Sequence, residues 1–330
     1  MPAAPNHRLV AVVLLVPVVV ALALWAFAWP AARMAPRDLP VGIAGSAPAA
    51  DQLQRQLGQR DGAFEIHRYD SAAAARTAIE HRAVYGAVVV TPRGPELLTA
   101  SAAGPVVAQL LHDAVAGSAP AGTAVPVTDV VAAPAADPRG SVLGASILPL
   151  AIAGVVAGSA VTLLRLRGGR AALALLGAAA LVGIIATALT DSWLGVLTGD
   201  WWSEAGALGL TVLAIGATVA GLAALIGPAG IGLGALLMVL VGNPFSGATS
   251  APELLPRPAG MIGQWLPPGA GGSLVRSVAF FDGRAAGGAA LTLALWAALG
   301  LIAVIAGGRR RPPAPEAPGA APAREAARVG

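Results

Sequence analysis

Residues 142–242 constrain this chain more than any other stretch. They read as four hydrophobic helices in succession, 143–164, 171–190, 205–226 and 229–242, broken by RLRGGR, by a longer polar stretch at 191–204 and by a brief Gly-Pro. A helix needs about 20 mostly apolar residues to cross a bilayer. The first three segments reach that length, and the fourth is shorter and glycine-rich. None of the four contains Asp, Glu, Lys, Arg or His. Such a run is insoluble in water but forms a bundle in lipid, where each helix satisfies its own backbone. Apolar segments 9–28 and 285–306 flank the block, which makes six expected spans.

Composition agrees. Charged residues are 12% of the chain, about half the share of a soluble protein, and 56% is hydrophobic. Cysteine is absent, which excludes disulfides and thiolate chemistry. All 21 basic side chains are arginine. Without lysine the chain has no phosphate-binding P-loop, so it does not hydrolyse ATP by that route, and it forms no Schiff base. The net charge of +4 raises nucleic acid as a partner, but membrane topology accounts better for the arginines and no nucleic acid is expected.

Residues 1–29 form an N-terminal anchor. Ala26-Phe27-Ala28 resembles a signal-peptide cleavage site. The apolar core exceeds the usual 7–15 residues, however, and Trp29-Pro30 follows directly, so an uncut anchor is the preferred reading. Residues 30–141 change character. Strand-like runs at 39–45, 63–69, 84–91, 96–101 and 125–131 alternate with helical patterns at 49–60, 71–81 and 105–115. That alternation predicts a small α/β domain with a mainly parallel sheet. Asp70 or Ser71 is placed to cap the second helix.

Orientation follows from charge. Arg165, Arg167 and Arg170 crowd the first short turn of the four-helix block (142–242), and Arg309, Arg310 and Arg311 follow the last helix (285–307). Basic short loops stay cytoplasmic. The intervening loop is acidic and aromatic, with Asp191, Trp193, Asp200, Trp201, Trp202 and Glu204, and belongs outside. Six spans then put both termini in the cytoplasm and the α/β domain outside the plasma membrane, between helices one and two. Residues 243–284 are too polar and proline-rich to span, yet too apolar for a solvated loop. They read as an external re-entrant or interfacial segment with short helices near 252–255, 261–266 and 273–281. The tail, 308–330, reads as disordered and cytoplasmic.

Five local signatures are spread along the chain outside the tail: VYGAVVV at 84–90, ASAAGPVVAQLL at 100–111, DPRG at 137–140, NPFSG at 243–247 and LPPGAGGSLVRSVAFFDG at 266–283. With one anchor, a large external domain and five further spans, the chain resembles the permease subunits of type-2 ABC exporters, in an actinobacterial branch near phage-infection-protein-like membrane proteins. The resemblance implies an ATPase on a separate chain, a second permease copy and a re-entrant segment before the last helix. It also implies a coupling element between the second and third spans, which could only be 163–170.

The spans hold no ionisable side chain, which argues against an ion-driven carrier and for a hydrophobic or amphipathic substrate. The four histidines, His7, His67, His81 and His112, lie outside the spans. No catalytic constellation, metal or cofactor is nominated, although His67 with His81 is the one conceivable metal pair. Gly154 with Gly158, and Gly230 with Gly234, have small-xxx-small spacing and serve packing within the bundle or a dimer seam. Arg165, Arg167 and Arg170 read as a topology signal, an ATPase contact or a lipid contact. In the external segment, Glu253, Arg257, Arg276, Asp282 and Arg284 need partners, and Arg276 with Asp282 or Glu253 is the expected pair, either a structural tie or a gate. Two functions remain open: an exporter permease, or a membrane-anchored receptor or assembly factor acting through its external domain.

Overall fold

The computed structural model describes residues 6–45, 47–59, 62–92, 94–117 and 125–307. The expected tail, with Arg309, Arg310 and Arg311, lies outside them. Five helices are long and apolar enough to cross a membrane, and the protein is a mostly helical, multi-pass membrane protein. These are α1 (Asn6–Ala32), α5 (Ser141–Leu163), α6 (Gly168–Thr187, continued by a π-helical turn at Ala188–Trp193), α7 (Trp201–Ile226) and α11 (Ala286–Gly307).

The sixth expected span is shorter than the other five. Residues 229–242 form α8 (Ala229–Ala235) and a π-helical continuation, Leu236–Gly242. At 1.5 Å per residue this is about 21 Å, short of the roughly 30 Å of hydrocarbon. It runs back along α7, with Gly230 against Leu222 and Ala223, Gly234 against Val219, and Met238 packed with Ile215. Non-helical turns at 243–251 then return the chain to the end where α5 and α7 begin: Thr249 meets Gly144, and Ala251 joins a core of strand residues. Irregular backbone at such depth survives only where protein or a cavity covers it, and Phe245, Ser246, Ala248 and Ser250 are all buried.

α7 is the centre of the bundle, packed by α5, α6, α8, α11 and the helix Pro267–Phe280, whereas most of α1 is exposed. Small residues make the close packing. A Cβ on Gly158 would sit 2.5 Å from the Gly216 carbonyl, and one on Gly154 would sit 2.7 Å from Ile215. Both glycine pairs are therefore used inside this chain, against α7.

Between α1 and α5 lie β1 (Leu39–Gly45), α2 (Ala47–Gly58), β2 (Phe64–Tyr69), α3 (Ala72–Glu80), β3 (Gly86–Thr91), β4 (Gly94–Thr99), α4 (Pro105–Ala116) and β5 (Val127–Asp129). The sheet order is β2-β1-β3-β4-β5, parallel throughout except for the β3–β4 pair. Ser71 starts α3, its hydroxyl accepting from Ala74 N at 3.1 Å. The DPRG signature starts α5. The Asp137 carboxylate accepts from Ser141 N at 3.0 Å and Val142 N at 2.7 Å, satisfying two donors that a helix start leaves open. Gly140 has φ 60°, a left-handed conformation glycine adopts without a Cβ penalty.

The region 251–281 holds the sheet on both faces. Leu254 is buried with Leu39, Val41, Val107 and Leu111 on the face covered by α4. Phe281 is buried with Ala75, Ile79, Val89 and Leu98 on the face covered by α3. Each is 2% exposed, worth roughly 1.5–3 kcal/mol by burial. Backbone bonds add to the grip: Ala35 N donates to Leu254 O at 3.0 Å and Arg37 N to Glu253 O at 2.9 Å.

Within 243–284, a short 3-10 turn (Pro252–Leu254) precedes α9 (Ala259–Trp265) and α10 (Pro267–Phe280). The third expected helix is thus longer than 273–281, and it does not lie at the lipid surface. Its stacked small residues let it press into α5, α7 and α11, and Pro267 through Gly272 are all buried.

The acids of the 191–204 stretch differ in burial. Glu204 is not solvated but fully buried in the first turn of α7. Its Oε1 accepts from Gly199 N at 2.8 Å, while among the described residues neither Oε2 nor the buried Thr187 hydroxyl has a partner. Asp200 caps the helix ahead of it and stays in water, accepting from Ser203 N at 2.9 Å. Substituting Glu204→Gln keeps an acceptor for Gly199 and removes the charge, so thermal stability in detergent should hold or rise. Glu204→Ala strands the Gly199 N–H and opens a void, and should cost about 1–3 kcal/mol. A melt in which Gln is as damaging as Ala would show that the carboxylate itself is required.

Candidate functional site

Charged side chains gather where the sheet meets the bundle. Tyr85 precedes β3, Arg82 follows α3, Glu253 lies on the 3-10 turn and Arg276 on α10. Arg82 reaches down from the sheet layer because its backbone is left-handed, φ 58°, at the end of α3. Its Nη1 donates to Ser273 O at 3.0 Å and to the Ser277 hydroxyl, and its guanidinium lies 5.4 Å from the Phe281 ring centroid. The Tyr85 hydroxyl donates to Glu253 Oε2 at 2.8 Å. Burial, and then the neighbouring carboxylate, raise the Tyr85 pKa far above its ordinary value, so the phenol is a fixed neutral donor.

Arg276 is 5% exposed and donates to Ala248 O at 2.9 Å. The expected ion pair is not formed. Among the described residues Arg276 has no carboxylate within 4.0 Å: Asp282 is exposed beyond the end of α10, and Glu253 is engaged by Tyr85. The cause is geometric, since the turn after α10 carries Phe281 into the sheet and leaves Asp282 in water. Burial lowers the pKa of both Arg82 and Arg276, and each is partly supported by Tyr85 and Glu253. The two guanidiniums share one carboxylate, so this layer carries an excess of positive charge. Arg257 pairs with Asp38, and Arg284 is half-buried.

Around these groups is a cavity of about 420 Å³. Arg82, Tyr85, Glu253, Gln264 and Ser273 give its polar wall, and Pro40, Val84, Ala103, Ala289 and Trp265 its apolar one. Gln264 is fixed by two bonds, from Ser273 Oγ at 2.6 Å and to Ser246 O at 2.8 Å. A second hollow of about 470 Å³ lies beyond Pro252, Glu253, Gln264 and Trp265, which line both, and is edged by Arg37, Arg257 and Met261.

Six of the seven tryptophans mark this end of the bundle, and Trp296 lies midway along α11. Trp25 and Trp29 are near the end of α1, Trp193 follows α6, Trp201 and Trp202 begin α7, and Trp265 ends α9. Trp296 of α11 donates to Trp265 O at 2.8 Å. Trp193, Trp202 and Trp265 are each more than two-thirds exposed, as suits a bilayer interface.

At the other end, Arg165, Arg167 and Arg170 are exposed and make no side-chain bond within the described chain. The 164–167 connection is a turn, not a helix, because Arg165 adopts φ 56° immediately after α5. His67, His81 and His112 are local: His67 lies beside Glu65, His81 bonds Thr77 O and His112 lies beside Asp113. Among the described residues no three potential metal ligands gather. Sequence reading missed Arg82 and Tyr85 because neither has a local pattern. The sole available signal was an arginine one turn before a buried-strand run. No protein-family model, curated protein or solved structure matches the chain.

Proposed function

We propose that the chain is the permease subunit of an exporter of amphipathic molecules, driven by an ATPase on a separate chain and completed by a second permease copy. The observation that carries this reading is the cavity between sheet and bundle. Its walls come from the strand layer, from the α9–α10 re-entrant pair and from α11, so a shift of any one of these alters it. Its lining joins charged and apolar groups, as a site for an amphipathic molecule requires. In this reading the tryptophan end faces outward across the plasma membrane and the arginine turn at 164–167 faces the cytoplasm, where it offers cationic contacts to an ATPase. A freely portable outer domain, as a receptor would need, is disfavoured by Leu254 and Phe281, which belong to the sheet's two cores but come from the membrane segment.

The test is reconstitution with an ATPase subunit from the same host. The tagged chain should co-purify with it and raise its ATP turnover. Arg165→Gln, Arg167→Gln and Arg170→Gln together should weaken that association at least tenfold, about 1.4 kcal/mol. A purified chain that neither binds nor stimulates any such ATPase sinks the reading.

A further inference from the structure

We propose that the 420 Å³ cavity binds an anionic phospholipid drawn from the leaflet at the tryptophan end, with Arg82 holding the phosphate and the first turns of α11 seating the acyl chains. This deepens the exporter reading by naming a substrate class, and depends on it only for the claim that the bound molecule is moved.

Four observations carry the inference. First, Arg82 is incompletely used. A guanidinium has five N–H donors. Nη1 accounts for two, through Ser273 O and Ser277 Oγ, and among the described residues Nε and Nη2 have no partner. Those three remaining donors form the planar fork that suits phosphate. Second, the charge is complementary. Arg82 and Arg276 face one carboxylate, Glu253, whose Oε2 is already held by the Tyr85 hydroxyl. An incoming anion completes the balance. Third, the depth is right. Ala285, Gly288, Ala289 and Thr292 of the α11 entry line the cavity together with Trp265, so the site opens where a membrane helix enters the bilayer. Fourth, there is room for a chain. Gly287 and Gly288 have nothing within 4 Å of a built Cβ, and Gly288 and Trp265 are exposed.

The experiment is native mass spectrometry of the full chain released from nanodiscs of phosphatidylglycerol and phosphatidylcholine in equal parts. Phosphatidylglycerol should be retained over phosphatidylcholine by roughly tenfold, the scale of one charge-assisted contact. Arg82→Gln should bring that bias close to one. Because Arg82→Gln also removes two bonds to α10, Gly288→Phe is the second arm. Its side chain enters open space, leaves the Arg82 bonds in place and should expel the retained lipid. Arg165→Gln, at the opposite end, should leave the bias unchanged. Equal retention of both lipids, or a bias that survives both cavity variants, overturns the proposal. So does displacement by millimolar inorganic phosphate alone, which would mark a free-anion site. Loss of ATPase stimulation with the lipid bias intact would reject the exporter reading and leave the site standing.

Discussion

Gly158→Leu is expected to prevent assembly of the bundle. A Cβ at this position would lie 2.5 Å from the Gly216 carbonyl and 2.9 Å from Val219 Cβ, both on α7. The first of these is backbone, so no side-chain rotation relieves the clash. α5 must move off α7, the helix on which α6, α8, α10 and α11 also pack. Overpacking a close contact costs about 1–3 kcal/mol where neighbours can shift, and here the neighbour is the central helix. In lipid, where small residues set the approach of helices, the contact is itself the main attraction. Fluorescence-detected gel filtration should show loss of the monodisperse peak. Gly177→Leu is the matched control: on α6, it has nothing within 4 Å and should behave as wild type. If both variants run alike, close α5–α7 approach is not what holds the bundle.

Glu253→Ala should be the most damaging single change at the cavity. It removes the one carboxylate that supports Arg82 and Arg276, and it leaves the Tyr85 hydroxyl without its acceptor. Removing the partner of a buried cation costs more than the pair itself is worth, because the remaining charge stays desolvated. Glu253 is itself half-buried, so about 2–3 kcal/mol is the expected loss, nearer the figure for hydrogen bonds to charged groups than for a fully buried pair. Tyr85→Phe should cost roughly 1–2 kcal/mol by losing the same bond. The double variant should be no worse than Glu253→Ala alone, since the bond can be lost only once. Strict additivity in thermal melts would mean that the two residues act separately.

The long apolar runs were legible because a bilayer-length helix demands a composition that little else explains. The strand layer was legible too, through alternation at residues such as Phe64 to Tyr69 and through the start signal at Ser71. Failures came where tertiary geometry overrode local pattern. Residues 229–242 carry the composition of a span, but the glycines that suit them to α7 come with only 14 helical residues. Glu204 looked like a loop acid because its neighbours Asp191 and Asp200 are, yet the α7 register turns it inward. Arg276 and Asp282 are close in sequence, but the turn that buries Phe281 separates them. Arg82 and Tyr85 lie far along the chain from Glu253 and Ser273, and no periodicity reports a meeting of that kind.

The clustering of six of the seven indoles at one end has an optical consequence. Ultraviolet emission from this protein, once reconstituted in sealed vesicles of uniform orientation, originates mainly from a single side of the membrane. An impermeant aqueous quencher added there should dim the signal strongly, and the same quencher trapped on the opposite side should leave it nearly untouched. The native chain thus carries its own sidedness reporter, with no label to install.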